Sequence, residues 1–362
     1  MSNGQENIPR TEIEAFGEFG LIDLLTKNIK LKNKSTIAGV GDDTAVLEKD
    51  KEKYQLVTTD LLVEGVHFDM SYTPLKHLGY KAAVVNFSDI YAMNGTPRQL
   101  VIGMSVSNRF SVEAIEEIYS GIYLACEMYD VDVVGGDTTA SPGSLFLSIT
   151  AIGEVKKEDI TYRKGAAEGD LVCVSGDLGA AYMGLLILER EKKAYEANPN
   201  VQPDLSGHDY ILERQLKPEA RKDIVELLKK ENIRPTSMID ISDGLASDML
   251  HICEHTGLGV HLYEEKLPID LATVNVADEF EILPSVAALN GGEDYELLFT
   301  VKLDDHEKIK NQKNIRIIGH MTDISNGRYL VSNDGNLVAL KAQGWDALKK
   351  DKGESPGNSQ KS

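Results

Sequence analysis

The feature that most constrains this chain is a cluster of glycine and acidic residues that recurs along it at the ends of apolar segments. The first copy lies in Gly39–Asp60, GVGDDTAVLEKDKEKYQLVTTD, where glycines flank Asp42-Asp43 and a strand pair delivers Thr58, Thr59 and Asp60. Glycine beside an acid lets the backbone turn sharply and approach a ligand closely. Two carboxylates about 4 Å apart repel by roughly 4 kcal/mol at an effective dielectric near 20, so converging acids need a cation. Oxygen-only ligand sets suit Mg²⁺ or Mn²⁺, and Mg²⁺ commonly shares its shell with substrate phosphates. A lone Asp-Asp is more often a solvated acidic turn, and it is the recurrence that favours a metal here.

The second copy is Gly135-Gly136-Asp137-Thr138-Thr139, which closes the apolar run VDVV and predicts a short buried strand ending in acid and hydroxyls. In the third, Asp240, Ser242 and Asp243 precede Gly244 and an amphipathic helix. In the fourth, Asn290-Gly291-Gly292-Glu293-Asp294-Tyr295 leads into the strand YELLFTV. The chain has no GxxxxGK[ST] loop, and none of the clusters fits DxDxDG. The pattern therefore points to phosphate chemistry run through metals, and away from a P-loop lysine or a calcium sensor.

Between the clusters the periodicity alternates between helix and strand, as in an α/β protein. A helix from about Pro74 to Asn94-Gly95 places Asn86, Asp89 and Met93 on one face, with Asp89 among apolar neighbours. A buried acid is either in a salt bridge or on a metal, and spacing alone leaves both open. A second helix, Ser111–Tyr129, opens on a plausible capping serine and carries Tyr119 and Tyr123 on one face. Tyr162–Ala166 holds concentrated positive charge beside a glycine, and residues 192–215 read as a polar surface insertion. His251 and His255 stand four apart, a spacing open to zinc, but HICEH is not HExxH. No Ser-His-Asp arrangement stands out.

The 362 residues suffice for two domains, and the net charge of −20 argues against a nucleic acid or an anionic membrane as partner. Three widely spaced cysteines in apolar segments suit buried, reduced thiols and a cytoplasmic protein. No apolar run approaches the length of a membrane span. The boundaries expected from the pattern are a disordered start (1–15), an N-terminal domain (16–156), a C-terminal α/β domain (157–348) and a disordered tail (349–362).

GVGDDTAVL, TTDLLVEGVHF, AVVNFSDIYAMNGTP, VVGGDTT, IDISDGL and GGEDYELLF follow one another in this order, and together they closely resemble the thiamine-monophosphate kinases. That family shares a superfamily with aminoimidazole ribonucleotide synthetase, selenophosphate synthetase and hydrogenase-maturation proteins. The resemblance implies a two-domain α/β (α+β) fold whose N-terminal domain binds ATP and magnesium and forms a dimeric β-barrel. It implies ATP-dependent phosphorylation of thiamine monophosphate to thiamine diphosphate by direct transfer in a homodimer. Several Mg²⁺ ions would fall on Asp43, Thr58, Thr59, Asp60, Asp89, Asp137, Asp240 and Asp243. Among these, Asp43, Asp60, Asp89, Asp137 and Asp240 would form the catalytic set. ATP would contact Tyr119, Gly136, Asp137, Arg163 and Ser242, and the thiamine side would meet His67, Glu293 and Trp345. Composition alone reads Trp345 as a clamp closing the core instead. Thr58 and Thr59 point to opposite faces if both lie in a strand. The family also carries an acid at position 42. Two other readings remain at this point: the same site with a different acceptor, and a non-catalytic nucleotide- or metal-binding module. A selenophosphate synthetase fits less well, because no cysteine lies in the N-terminal segment.

Overall fold

The structure, a computed structural model, describes residue 13 and residues 16–342. Trp345, the tail and nearly all of residues 1–15 lie outside the described residues. Helix α1 (Gly17–Thr26) belongs to a separate unit, and the described residues from 32 onward form one compact unit.

That unit opens with strands β1 (Thr36–Ala38), β2 (Ala45–Glu48) and β3 (Lys53–Val63), then helix α2 (Leu75–Ala92) and strand β4 (Thr96–Val106). Helix α3 (Val112–Tyr129) and strands β5 (Asp132–Ala140) and β6 (Phe146–Lys156) complete the first layer. The sheet runs β1-β2-β3-β6-β4-β5, antiparallel except for the parallel pair β4–β5. In β6 the alternation is regular, with Leu147, Ile149, Ala151 and Val155 turned into the core. Those side chains meet α2, which is buried along nearly its whole length because sheet, α3 and the second half of the chain surround it. Ser111 caps α3 by accepting the Ala114 N–H, as the sequence predicts.

The second half contributes β7 (Leu171–Ser175), α4 (Ala180–Ala197), α5 (Asp209–Leu216), α6 (Lys222–Lys230), β8 (Ser237–Asp240) and α7 (Leu245–Thr256). It continues with β9 (Gly259–Tyr263), α8 (Leu271–Glu279), α9 (Pro284–Asn290), β10 (Leu297–Val301) and α10 (His306–Ile309). Strands β11 (Ile315–Thr322), β12 (Arg328–Val331) and β13 (Leu337–Ala339) finish it. Its sheet runs β13-β12-β9-β11-β7-β10-β8, which puts β8 on an edge. The protein is thus a mixed α/β fold with two sheets. Cys126, Cys173 and Cys253 are buried free thiols. Among the described residues, no helix is long and apolar enough to cross a membrane.

The structure corrects the sequence reading in several places. Thr58–Asp60 lie inside one long strand, not beyond its end, because β6 pairs with β3 through Val63. The expected buried strand at 131–135 is an edge strand, β5, exposed along most of its length. The stretch at 192–215 is a surface segment only in part: its first residues extend α4, its middle is exposed, and α5 turns Ile211 and Gln215 into the core.

Candidate active site

The site forms where the open end of the β1–β2 turn, the middle of β3, the C-terminal part of α2 and the end of β8 converge. Carboxylate oxygens of Asp43, Asp89 and Asp240 all lie within 4.8 Å of one another. Each arrives by a different route. Asp43 sits in the Gly-Asp-Asp turn, and Arg163 Nη2 donates to its Oδ1 at 2.7 Å. The Arg163 backbone N–H is donated to Asp42 Oδ1 at 3.0 Å, so both acids of the turn are held by one residue from the loop after β6. Asp89 accepts the Thr58 hydroxyl at 2.5 Å, and Asp240 accepts the Ser88 hydroxyl at 2.6 Å. Asp60 shares the Thr58 side of β3, and its N–H is donated to Asn86 Oδ1 at 3.1 Å.

So many acids in one dry place perturb their proton affinities. Burial pushes the Asp60 carboxyl up to about 6. Burial, and then the charge of Asp43, pushes Asp240 up to about 7. Asp89 is driven well above the usual range by burial and then by Asp60, Asp240 and Asp43. Asp42 is raised to about 6 by burial and by Asp43, against the pull of Arg163. Burial opposes the charge on Arg163, but Asp43, Asp42 and Asp240 outweigh it and keep the guanidinium protonated.

This donor set fits magnesium. Its ligands are hard oxygens in a compact group, and Asp43 Oδ2 is buried with no hydrogen-bond partner. An orphaned buried carboxylate oxygen is costly unless something cationic meets it. A second group, Asp243, Asp248 and His251, also brings ligand atoms within 4.8 Å of one another. Asp248 Oδ2 accepts the N–H groups of Asp243 and Gly244 at 3.3 and 3.1 Å. His251 thus brings a ring nitrogen to these acids, while the His255 Nδ1 lies 2.8 Å from the His251 backbone oxygen.

The fourth glycine cluster is clipped onto the third. Glu293 N–H is donated to Ser242 O at 2.7 Å, and Tyr295 N–H to Ile241 O at 2.9 Å. Glu293 and Tyr295 hold positive φ angles of 57° and 52°, which non-glycine residues seldom adopt. The Glu293 carboxylate is engaged by Lys81 Nζ at 2.9 Å and Gln215 Nε2 at 2.9 Å.

Other expected residues stand apart from the acid group. Thr59 faces away, donating to Ile149 O at 3.0 Å and accepting from Thr150 at 3.1 Å. Gly136 and Asp137 lie on exposed β5, with β6 and β4 between it and β3. Tyr119 is half-buried on α3 against Tyr123, with ring centroids 5.8 Å apart. His67 is exposed just past β3 and accepts the Val63 N–H at 3.1 Å. Ser242 is exposed in the turn before α7. Ser88, Lys81 and Asp248 were not singled out from sequence. Asp248 stands in the same SDGLASD run as Asp243, and that spacing was the available signal.

Residues 41–155 match the family model described as "AIR synthase related protein, N-terminal domain". The thiamine-monophosphate kinase of Aquifex aeolicus is 38% identical over 288 residues, covering 80% of this chain and 87% of its own. That of Bacillus subtilis is 31% identical over 340 residues, covering 92% and 99%. A solved structure described as AaThiL complexed with AMPPCP and TMP superposes with a TM-score of 0.79 at 33% identity, covering 93% of this chain and 99% of that one. With the acid site assembled from the same ordered motifs and relatives matched over most of their length, the chain belongs to the thiamine-monophosphate kinase family.

Proposed function

We propose that this protein transfers the γ-phosphoryl group of ATP to the phosphate of thiamine monophosphate, giving thiamine diphosphate and ADP. An acceptor phosphate oxygen attacks the γ-phosphorus, the bond to the β-phosphate oxygen breaks, and ADP leaves. The observation that carries this reading is the convergence of Asp43, Asp89 and Asp240 within 4.8 Å, beside Asp60 and Thr58, in a family of thiamine-monophosphate kinases.

Magnesium ions bound at these oxygens would neutralise phosphate charge and let the two reacting phosphates approach in line. The chain's own part is to fix that geometry. Arg163 locks the Asp42-Asp43 turn, Thr58 orients Asp89, and Ser88 orients Asp240. Burial of the acids keeps water away, which strengthens every charge interaction made there. We assign Asp243 and Ser242 to the nucleotide side, and His67, Glu293 and Trp345 to the thiamine side. Tyr119, Gly136 and Asp137 are assigned to ATP, with Asp137 also offering an oxygen to metal, whereas Thr59, whose hydroxyl donates to Ile149 O on the other face of β3, is left out of the metal set. The first sheet layer, to about residue 156, would carry ATP, magnesium and dimerisation, and the remainder would close the site. We also propose a cytoplasmic homodimer. The open edge of β5 supports the dimer, and the buried thiols suit the compartment.

The test is to follow ADP release with ATP, Mg²⁺ and thiamine monophosphate, omitting each in turn. ADP release that requires all three, and is lost in Asp89→Asn, is the expected result. ADP release indifferent to thiamine monophosphate would overturn the assignment of acceptor.

A further inference from the structure

At the far end of β3 from the acids, a cavity of about 470 Å³ opens between the strand ends of the first sheet and α6 with its following loop. Its charge is opposite to that of the chain as a whole. Lys53, Arg98, Lys156, Lys229 and Arg234 line it, against two carboxylates, Glu154 and Asp159, in a chain of net charge −20. Glu154 is already occupied by Lys53, Arg98 and Lys49, at 2.8, 3.3 and 2.5 Å. Lys156, Lys229 and Arg234 form no salt bridge to a carboxylate among the described residues, although each lines the cavity.

The fold gathers these cations deliberately in one place. Asn232, at a φ of 50°, reverses the chain after α6, and the Ile233 N–H returns to Leu228 O at 2.9 Å. Lys229 before the turn and Arg234 after it then share one cavity. Loss of hydration and the nearby charge of Lys156 hold the Lys229 ammonium below its ordinary pKa, against the pull of Asp159 and Glu226. An anion placed there would relieve that stress. Arg and Lys side chains set around a cleft are the usual receptors for phosphate oxygens.

We propose that this basic cavity is a second ligand site, which binds a compact phosphate-bearing anion of pyrophosphate size or somewhat larger. It is distinct from the acid site: Lys53 and Asp60 lie seven residues apart on one strand, about 23 Å at strand rise. Occupancy would tie the β3, β4 and β6 ends to α6 and so join the first sheet layer to the second half of the chain.

The experiment is calorimetric titration of the full-length protein with inorganic pyrophosphate in EDTA, where the metal-free acid site repels anions, with a thermal melt alongside. ADP and inorganic phosphate serve as comparison ligands, separating recognition of a nucleotide from recognition of phosphate alone. The expected result is saturable binding at one site per chain and a higher melting temperature with ligand. In Lys229→Gln/Arg234→Gln, binding should weaken at least tenfold and the thermal gain disappear. Both positions are exposed, and the Michaelis constants for ATP and thiamine monophosphate should stay unchanged in the variant. Absence of saturable binding in the wild type, or equal binding in the variant, would overturn the site.

Discussion

Ser88 donates its hydroxyl to Asp240 at 2.6 Å, joining a helix of the first layer to an edge strand of the second across 152 residues of chain. The bond links folding to chemistry, because Asp240 completes the acid group only when α2 and β8 are packed together. Groups that orient a metal ligand without touching the metal typically change affinity by about 10–100-fold when removed. Ser88→Ala should therefore raise the Mg²⁺ concentration for half-maximal ADP release at least several-fold, with little loss of fold. A magnesium titration with an unchanged midpoint would remove Ser88 from this role.

The acid group also predicts how the metal-free protein responds to pH. Asp60 near 6, Asp240 near 7 and Asp89, raised by burial and by the neighbouring acids, retain protons that the unfolded chain has released above its ordinary carboxylate pKa. The native state then binds more protons than the unfolded state, so stability falls as pH rises. In EDTA the melting temperature should decline from about pH 4 to pH 7, and saturating Mg²⁺ should flatten that decline. Asp240→Asn should flatten it partly without metal, while losing turnover. A metal-free melting curve independent of pH across this window would show that the acids do not converge as described.

Much of this site is legible in the sequence, for reasons that differ from residue to residue. Asp43, Asp60 and Asp240 stand beside glycines or hydroxyls at the ends or middles of strands, where an unneeded acid would be costly. Asp89 stands out because its neighbours are apolar. Ser88 and Lys81 carry no such mark, since their partners Asp240 and Glu293 are distant in sequence and only packing brings them near. Strand β5 was misread because VDVV looks like a core segment, whereas its position at the sheet edge is a property of the whole topology. The same blindness applies to the length of β3, which is set by its partner β6 and not by its own residues.

Close packing of α2 on α3 supplies a prediction about stability. A Cβ on Gly79 would lie 1.8 Å from Ile118 O, and one on Gly121 would lie 1.8 Å from Lys76 O. In an exposed helix, Gly to Ala is worth about 1 kcal/mol of stabilisation. Here overpacking costs about 1–3 kcal/mol or more, and it moves the helix that carries Asp89, so the sign reverses. Gly121→Ala should lower the urea midpoint clearly, whereas Gly143→Ala, with open space around it, should leave the midpoint almost unmoved. Equal midpoints for the two variants would contradict the close approach.

The edge of the first sheet carries the last prediction. Among the described residues β5 pairs with β4 on one side only, and no strand lies on its other edge. The Thr138 N–H is met by the neighbouring Asp137 carboxylate at 3.0 Å, a local substitute for a strand partner. Val134 on this strand is 56% exposed, and Leu61 on β3 is 49% exposed. Natural proteins seldom leave a nine-residue edge with exposed apolar side chains unprotected, and a second copy of the chain would cover it. Light scattering at micromolar concentration should give about twice the chain mass of 39.8 kDa. Val134→Lys, which puts a charge on that edge, should shift the mass toward the monomer without lowering helix or strand content by circular dichroism. If the wild type scatters as a monomer, the edge has some other cover. If Val134→Lys remains fully dimeric, the copies meet through a different face.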